Sequence, residues 1–70
     1  MMTEEELKIF NDFKNQIVAQ YKLKEVHPYK DDYFELLDKD RRVRASLNPK
    51  GKSLLLAVNK LCNDIMASIF

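Results

Sequence analysis

Cysteine is nearly absent, with Cys62 alone among 70 residues. An internal disulfide and a cysteine-rich zinc site are therefore excluded, and a short chain loses two of its usual supports. Glycine occurs once, at Gly51, and histidine once, at His27. No apolar run is long enough to cross a bilayer, because the longest, Leu54–Phe70, is broken by Asn59, Lys60, Asn63 and Asp64. The opening Met1-Met2-Thr3-Glu4-Glu5-Glu6 is acidic and lacks the basic and apolar regions of a secretion signal. A reducing, cytoplasmic setting with no membrane contact is the expectation. No aromatic row accompanies the basic residues, so stacking on single-stranded nucleic acid is unsupported.

What is present describes one small domain, residues 1–70, since neither half alone holds a core. A chain this short buries only about 60% of the surface its unfolded form exposes, so oligomerisation is the remaining aid to stability. The formal net charge is +1. Its distribution is uneven. Residues 39–52 carry Lys39, Arg41, Arg42, Arg44, Lys50 and Lys52 against Asp40 alone, a net +5, and the remaining residues carry a net −4.

Leu7, Phe10, Phe13, Ile17 and Tyr21 recur at gaps of three and four and mark one face of a helix. Thr3 and Glu6 have the spacing of a capping box, and Met2 and Leu7 that of a hydrophobic staple. Three glutamates in the first turn suit the helix dipole. Pro28 disfavours helix at His27, which predicts a helix end near Lys24–Val26. A second helix is predicted from Leu54, Leu55, Val58, Leu61, Cys62, Ile65, Met66 and Ile69, a wide apolar stripe at helical spacing. Asn48-Pro49 offers one start for it and Ser53 another, because Gly51 weakens the first turn.

The middle admits two readings. A β-hairpin pairs Tyr33–Leu37 with Arg42–Leu47 around Asp38-Lys39-Asp40-Arg41. Its register sets Leu36 against Val43 and Phe34 against Ala45 on one apolar face, with Glu35 against Arg44 on the other. The alternative is a short helix over 31–40 and an all-α bundle. The hairpin gives an α+β fold of N-terminal helix, β-hairpin and C-terminal helix, with the helices covering the hairpin's apolar face.

No catalytic site can be assembled. Ser46-Leu47-Asn48-Pro49-Lys50-Gly51-Lys52-Ser53 approaches the phosphate loop G-x-x-x-x-G-K-[ST]. Ser46 replaces its first glycine, Pro49 removes a backbone N–H, and the chain has no room for the parallel sheet that loop serves. His27, before Pro28, reads as an exposed linker residue. Cys62 reads as a small buried hydrophobe. Asp31, Asp32, Asp38 and Asp40 lack calcium-loop spacing and fit turns. No metal or cofactor is expected.

Two stretches carry a family likeness. Thr3-Glu4-Glu5-Glu6-Leu7 opens a helix. Tyr29-Lys30-Asp31-Asp32-Tyr33-Phe34-Glu35-Leu36-Leu37-Asp38 then leads to Arg41-Arg42-Val43-Arg44-Ala45. This resembles a small region of prokaryotic restriction-endonuclease-type proteins, in which such a helix precedes a Tyr-Phe strand, a turn and a second basic, apolar strand. The resemblance implies the hairpin and a bacterial or phage setting near nucleic acid or a defence system. It carries over no catalytic residue. After Leu47 the chain departs from it with a helix start.

The expectation is thus a small, non-enzymatic, regulatory interaction protein. It would bind a protein partner, or alternatively nucleic acid, through Lys39, Arg41, Arg42, Arg44, Lys50 and Lys52. The C-terminal stripe looks wider than one hairpin and one helix can cover. Leu55, Val58, Cys62, Ile65, Met66, Ile69 and Phe70 are therefore expected to pair two chains into a homodimer.

Overall fold

Helix α1 runs Glu4–Tyr21 and starts as its cap predicts. Thr3 N–H donates to Glu6 Oε1 at 3.0 Å, and Glu6 N–H donates to Thr3 Oγ1 at 3.1 Å. Its end comes earlier than Pro28 suggested. Lys22 turns left-handed, with φ 55°, and the Leu23 N–H returns to the Val18 carbonyl at 3.0 Å. That stop frees Lys24–Val26 to form a strand, β1, which the sequence reading had assigned to the helix end.

The hairpin forms, and the rival helix over 31–40 does not. Strands β2 (Phe34–Leu37) and β3 (Val43–Leu47) pair antiparallel, β1 adds to the other side of β2, and the sheet order is β1-β2-β3. Asp38 builds the tight connection. Its carboxylate accepts from the N–H groups of Asp40 at 2.8 Å and Arg42 at 3.0 Å, and its own N–H reaches the Arg42 carbonyl.

The register differs from the expected one. Leu36 faces Ala45, Phe34 faces Leu47 and Glu35 faces Ser46, while Leu37 faces Val43. Arg44 is the extra residue of a β-bulge. The bulge sends Val43 to the open face of the sheet, half exposed, and Leu47 takes the expected inward place. Glu35 does not meet Arg44. It accepts from the Tyr33 hydroxyl, and Arg44 turns back to Asp38.

Helix α2 (Leu54–Ile69) takes the later of its two starts, capped by Ser53, whose hydroxyl accepts from the Leu56 N–H at 3.2 Å. The computed structural model describes residues 1–69, and side chains through Ser68. Both helices lie on one face of the sheet. Phe10 of α1, Phe34, Leu36, Ala45 and Leu47 of the sheet, and Ala57, Leu61 and Ile65 of α2 form the core.

Helix α2 also closes one sheet edge. The outer backbone of β3 is met by α2 side chains: Ser46 N–H donates to Asp64 Oδ2, and Lys60 Nζ donates to the Ser46 carbonyl. An open edge would invite pairing with another chain, and this one is sealed.

The expected dimer stripe divides. Ile65 is 4% exposed and belongs to the core, so it is not available to a second chain. Val58 and Cys62 are half-buried, whereas Leu55 and Met66 remain open at 70% and 59%. The Ile69 side chain and Phe70 lie outside the described residues.

Candidate functional site: a basic notch at the hairpin end

The hairpin turn and the end of α1 meet at one end of the sheet. Lys22, Lys24, Lys39 and Arg41 surround an opening of about 400 Å³, with Leu23, Val26, Leu37 and Asp38. Four cations face one carboxylate there, and that carboxylate is engaged. Asp38 Oδ2 accepts from Arg44 Nε at 2.8 Å, and Oδ1 takes the two backbone N–H groups of the turn. The Arg42 backbone N–H contributes most to holding the Asp38 carboxyl below its ordinary value. Desolvation opposes it as the next largest effect, and Arg44 and the Asp40 N–H add to the lowering, so the net direction is down.

Two of these cations sit in unusual backbone. Lys22 (φ 55°) and Arg41 (φ 64°) are the two non-glycine residues with positive φ among those described. This left-handed conformation costs a residue with a Cβ roughly 1–2 kcal/mol and is where glycine is favoured. The one glycine is used elsewhere, at Gly51 (φ 79°). At both left-handed positions bordering the notch the chain places a cation.

The structure separates the six basic residues that the sequence grouped. Lys39, Arg41 and Arg42 are exposed at the hairpin end. Arg44 is not a free cation: Nε binds Asp38 and Nη1 donates to the Ser68 carbonyl at 2.7 Å. Lys50 and Lys52 follow β3 and lie at its other end, on the order of 15 Å away for a five-residue strand. Lys52 Nζ donates to the Asn48 carbonyl at 2.9 Å, and Lys50 borders a different cleft. One continuous basic surface from Lys39 to Lys52 does not exist, because β3 intervenes. Lys22 and Lys24 replace the missing pair. Their signal in the sequence is slight: two lysines flanking a leucine, which the fold buries.

The opposite cleft, about 450 Å³, is lined by Met2, Leu7, Phe34 and Pro49 with a polar cluster between them. Lys14 is 8% exposed and the one buried charge among the described residues. Its Nζ binds Glu25 Oε1 at 3.0 Å and Asn11 Oδ1 at 3.3 Å, and stands 5.1 Å from the Phe34 ring centre. His27 Nε2 meets Glu25 Oε2 at 2.7 Å, so this histidine is half-exposed but anchored, not a bare linker residue. Burial raises the Glu25 pKa, and the hydrogen bonds and charges of Lys14 and His27 outweigh it, leaving the carboxyl below its ordinary value. Every group here has a partner within the chain, as expected of a structural ion cluster. Asp31 and Asp38 both close turns through backbone N–H groups. Among the described residues no group of three or more His, Cys, Asp or Glu is placed to hold a metal ion.

No family model, curated protein or solved structure matches this chain. No helix among the described residues is long and apolar enough to cross a membrane.

Proposed function

We propose that this chain is a non-enzymatic interaction domain whose basic notch receives an acidic segment of a protein partner. The observation that carries it is the convergence of Lys22, Lys24, Lys39 and Arg41 on one opening. Apolar surface continues from the notch across the uncovered sheet face, through Val26, Leu37 and the half-exposed Val43. A carboxylate-rich segment carrying an apolar side chain complements both parts. A long polyanion fits less well. Lys50 and Lys52 lie at the far end, and the exposed Glu4, Glu5 and Asp12 of α1 repel phosphate. The setting that goes with this reading is the cytoplasm of a bacterium or a phage-infected cell, and the role is regulatory.

Calorimetry with a short Asp/Glu-rich peptide containing leucine, beside duplex DNA and RNA of matched length at low salt, tests it. The peptide should bind, and Lys24→Glu with Lys39→Glu should weaken it at least tenfold. Lys50→Glu, at the other end of β3, should change binding less than twofold. Binding of nucleic acid but not peptide would transfer the site to the nucleic-acid alternative. Equal losses from Lys50→Glu and the notch variants would remove the notch as the site.

A further inference from the structure

The flanks of the two helices can be assigned from their bonds. On α1, Lys14 and Asn11 face β1 through Glu25. On α2, Lys60, Asp64 and Ser68 face the edge of β3. With sheet order β1-β2-β3, the opposite flanks of the helices must adjoin. Phe13 and Ile17 of α1 and Val58 of α2, all half-buried and packed against the core, lie on those flanks, with the half-buried Cys62 beside Val58 on α2.

From the seam outward run two stripes at spacings of four, three and four. Ile9, Phe13, Gln16 and Gln20 form one, and Leu55, Asn59, Cys62 and Met66 form the other. No residue in either stripe is charged, in a chain whose residues are one-third charged. Ile9, Leu55 and Met66 are each more than half exposed. Gln16, Gln20 and Asn59 are exposed and their side chains make no hydrogen bond among the described residues.

We infer that this two-helix face binds a second copy of the same chain. In a two-fold contact the same patch meets itself, and groups close to the axis meet their own symmetry mates, so a charge there would meet its like. An amide, both donor and acceptor, can bond its own copy. Apolar side chains flanked by amides, without charge, thus carry no like-charge penalty when the face meets a second copy of itself. The area is adequate. Helices of 18 and 16 residues lying side by side present a face of roughly 25 by 20 Å, so two copies bury on the order of 1,000 Å², the lower bound for a specific interface and the size of a weak, reversible one. The lone chain also exposes 5128 Å², against about 4,600 Å² for a typical monomer of its mass. The dimer would stack two helix layers between two sheets and leave both basic notches free at the sheet ends.

Sedimentation over a concentration series tests this, independently of any ligand at the notch. The chain should weigh two copies at hundreds of micromolar and shift toward one on dilution. Leu55→Glu and Met66→Glu, both at exposed positions, should each weaken association at least tenfold while circular dichroism and cooperative melting persist. Gln16→Lys should also weaken it, because it sets an unpaired charge in an uncharged face. A mass of one chain at every concentration up to 1 mM, or a dimer indifferent to both glutamates, overturns the inference.

Discussion

Arg44 and Ser68 exchange two hydrogen bonds across 24 positions of sequence. Arg44 Nη1 donates to the Ser68 carbonyl at 2.7 Å, and Ser68 Oγ donates to the Arg44 carbonyl at 2.9 Å. The pair fastens the last turn of α2 to the bulge in β3, and so ties a helix end to the residue that sets the hairpin register. Ser68→Ala should cost about 1 kcal/mol, the worth of one hydrogen bond, in denaturant unfolding. Amide exchange should rise first at 44–46 and in the final turn of α2, since the edge loses part of its cover.

Stability and binding should respond oppositely at the left-handed cations. Lys22→Gly and Arg41→Gly relieve a Cβ clash, which should raise stability by about 0.5–1 kcal/mol each after the entropy of a more flexible unfolded chain is allowed for. The same changes remove charge from the notch and should weaken acidic-peptide binding several-fold. Thermal melts and calorimetry on the same samples would show the two signs. A loss of both stability and binding would mean the side chains serve the fold.

Glu25 predicts the response to acid. A carboxyl whose folded pKa lies below its ordinary value of 4.5 adds stability above that value, and the contribution is lost as pH falls through the folded pKa. Unfolding followed from pH 7 to pH 2 should therefore show stability falling below about pH 4.5, with Asp38, also lowered, adding to the loss. Glu25→Gln should flatten part of that slope. At pH 7 it should cost about 1–3 kcal/mol, because Lys14 is left buried without its counter-charge. Lys14→Met in the Glu25→Gln background should restore most of the loss, since the charge needing a partner is then gone.

Local signals in the chain were legible where neighbours in sequence make the structure. Thr3 and Glu6 satisfy each other within one turn, Asp38 closes its own hairpin, and Ser53 caps the helix that follows it. Periodicity placed both helices, and alternation placed β2 and β3. Lys24–Val26 escaped notice because three residues cannot display alternation, and the left-handed turn at Lys22 that frees them has no glycine to announce it. Lys14 escaped because a lysine between apolar rows normally reaches solvent. Its burial depends on Glu25, which the fold delivers from another element.

What the residues themselves determined was two capped amphipathic helices around an antiparallel hairpin, an uneven charge, and the lack of cysteine, glycine and histidine clusters for familiar chemistry. Those are short-range properties, set by backbone preference and by side-chain period. Only the tertiary structure decided which charges meet. A bulge at Arg44 reassigned the faces of β3, the strand's length parted Lys50 and Lys52 from the hairpin turn, and the stop after α1 with strand β1 brought Lys22 and Lys24 to it. Proximity between separate elements follows from packing, and no local period encodes it.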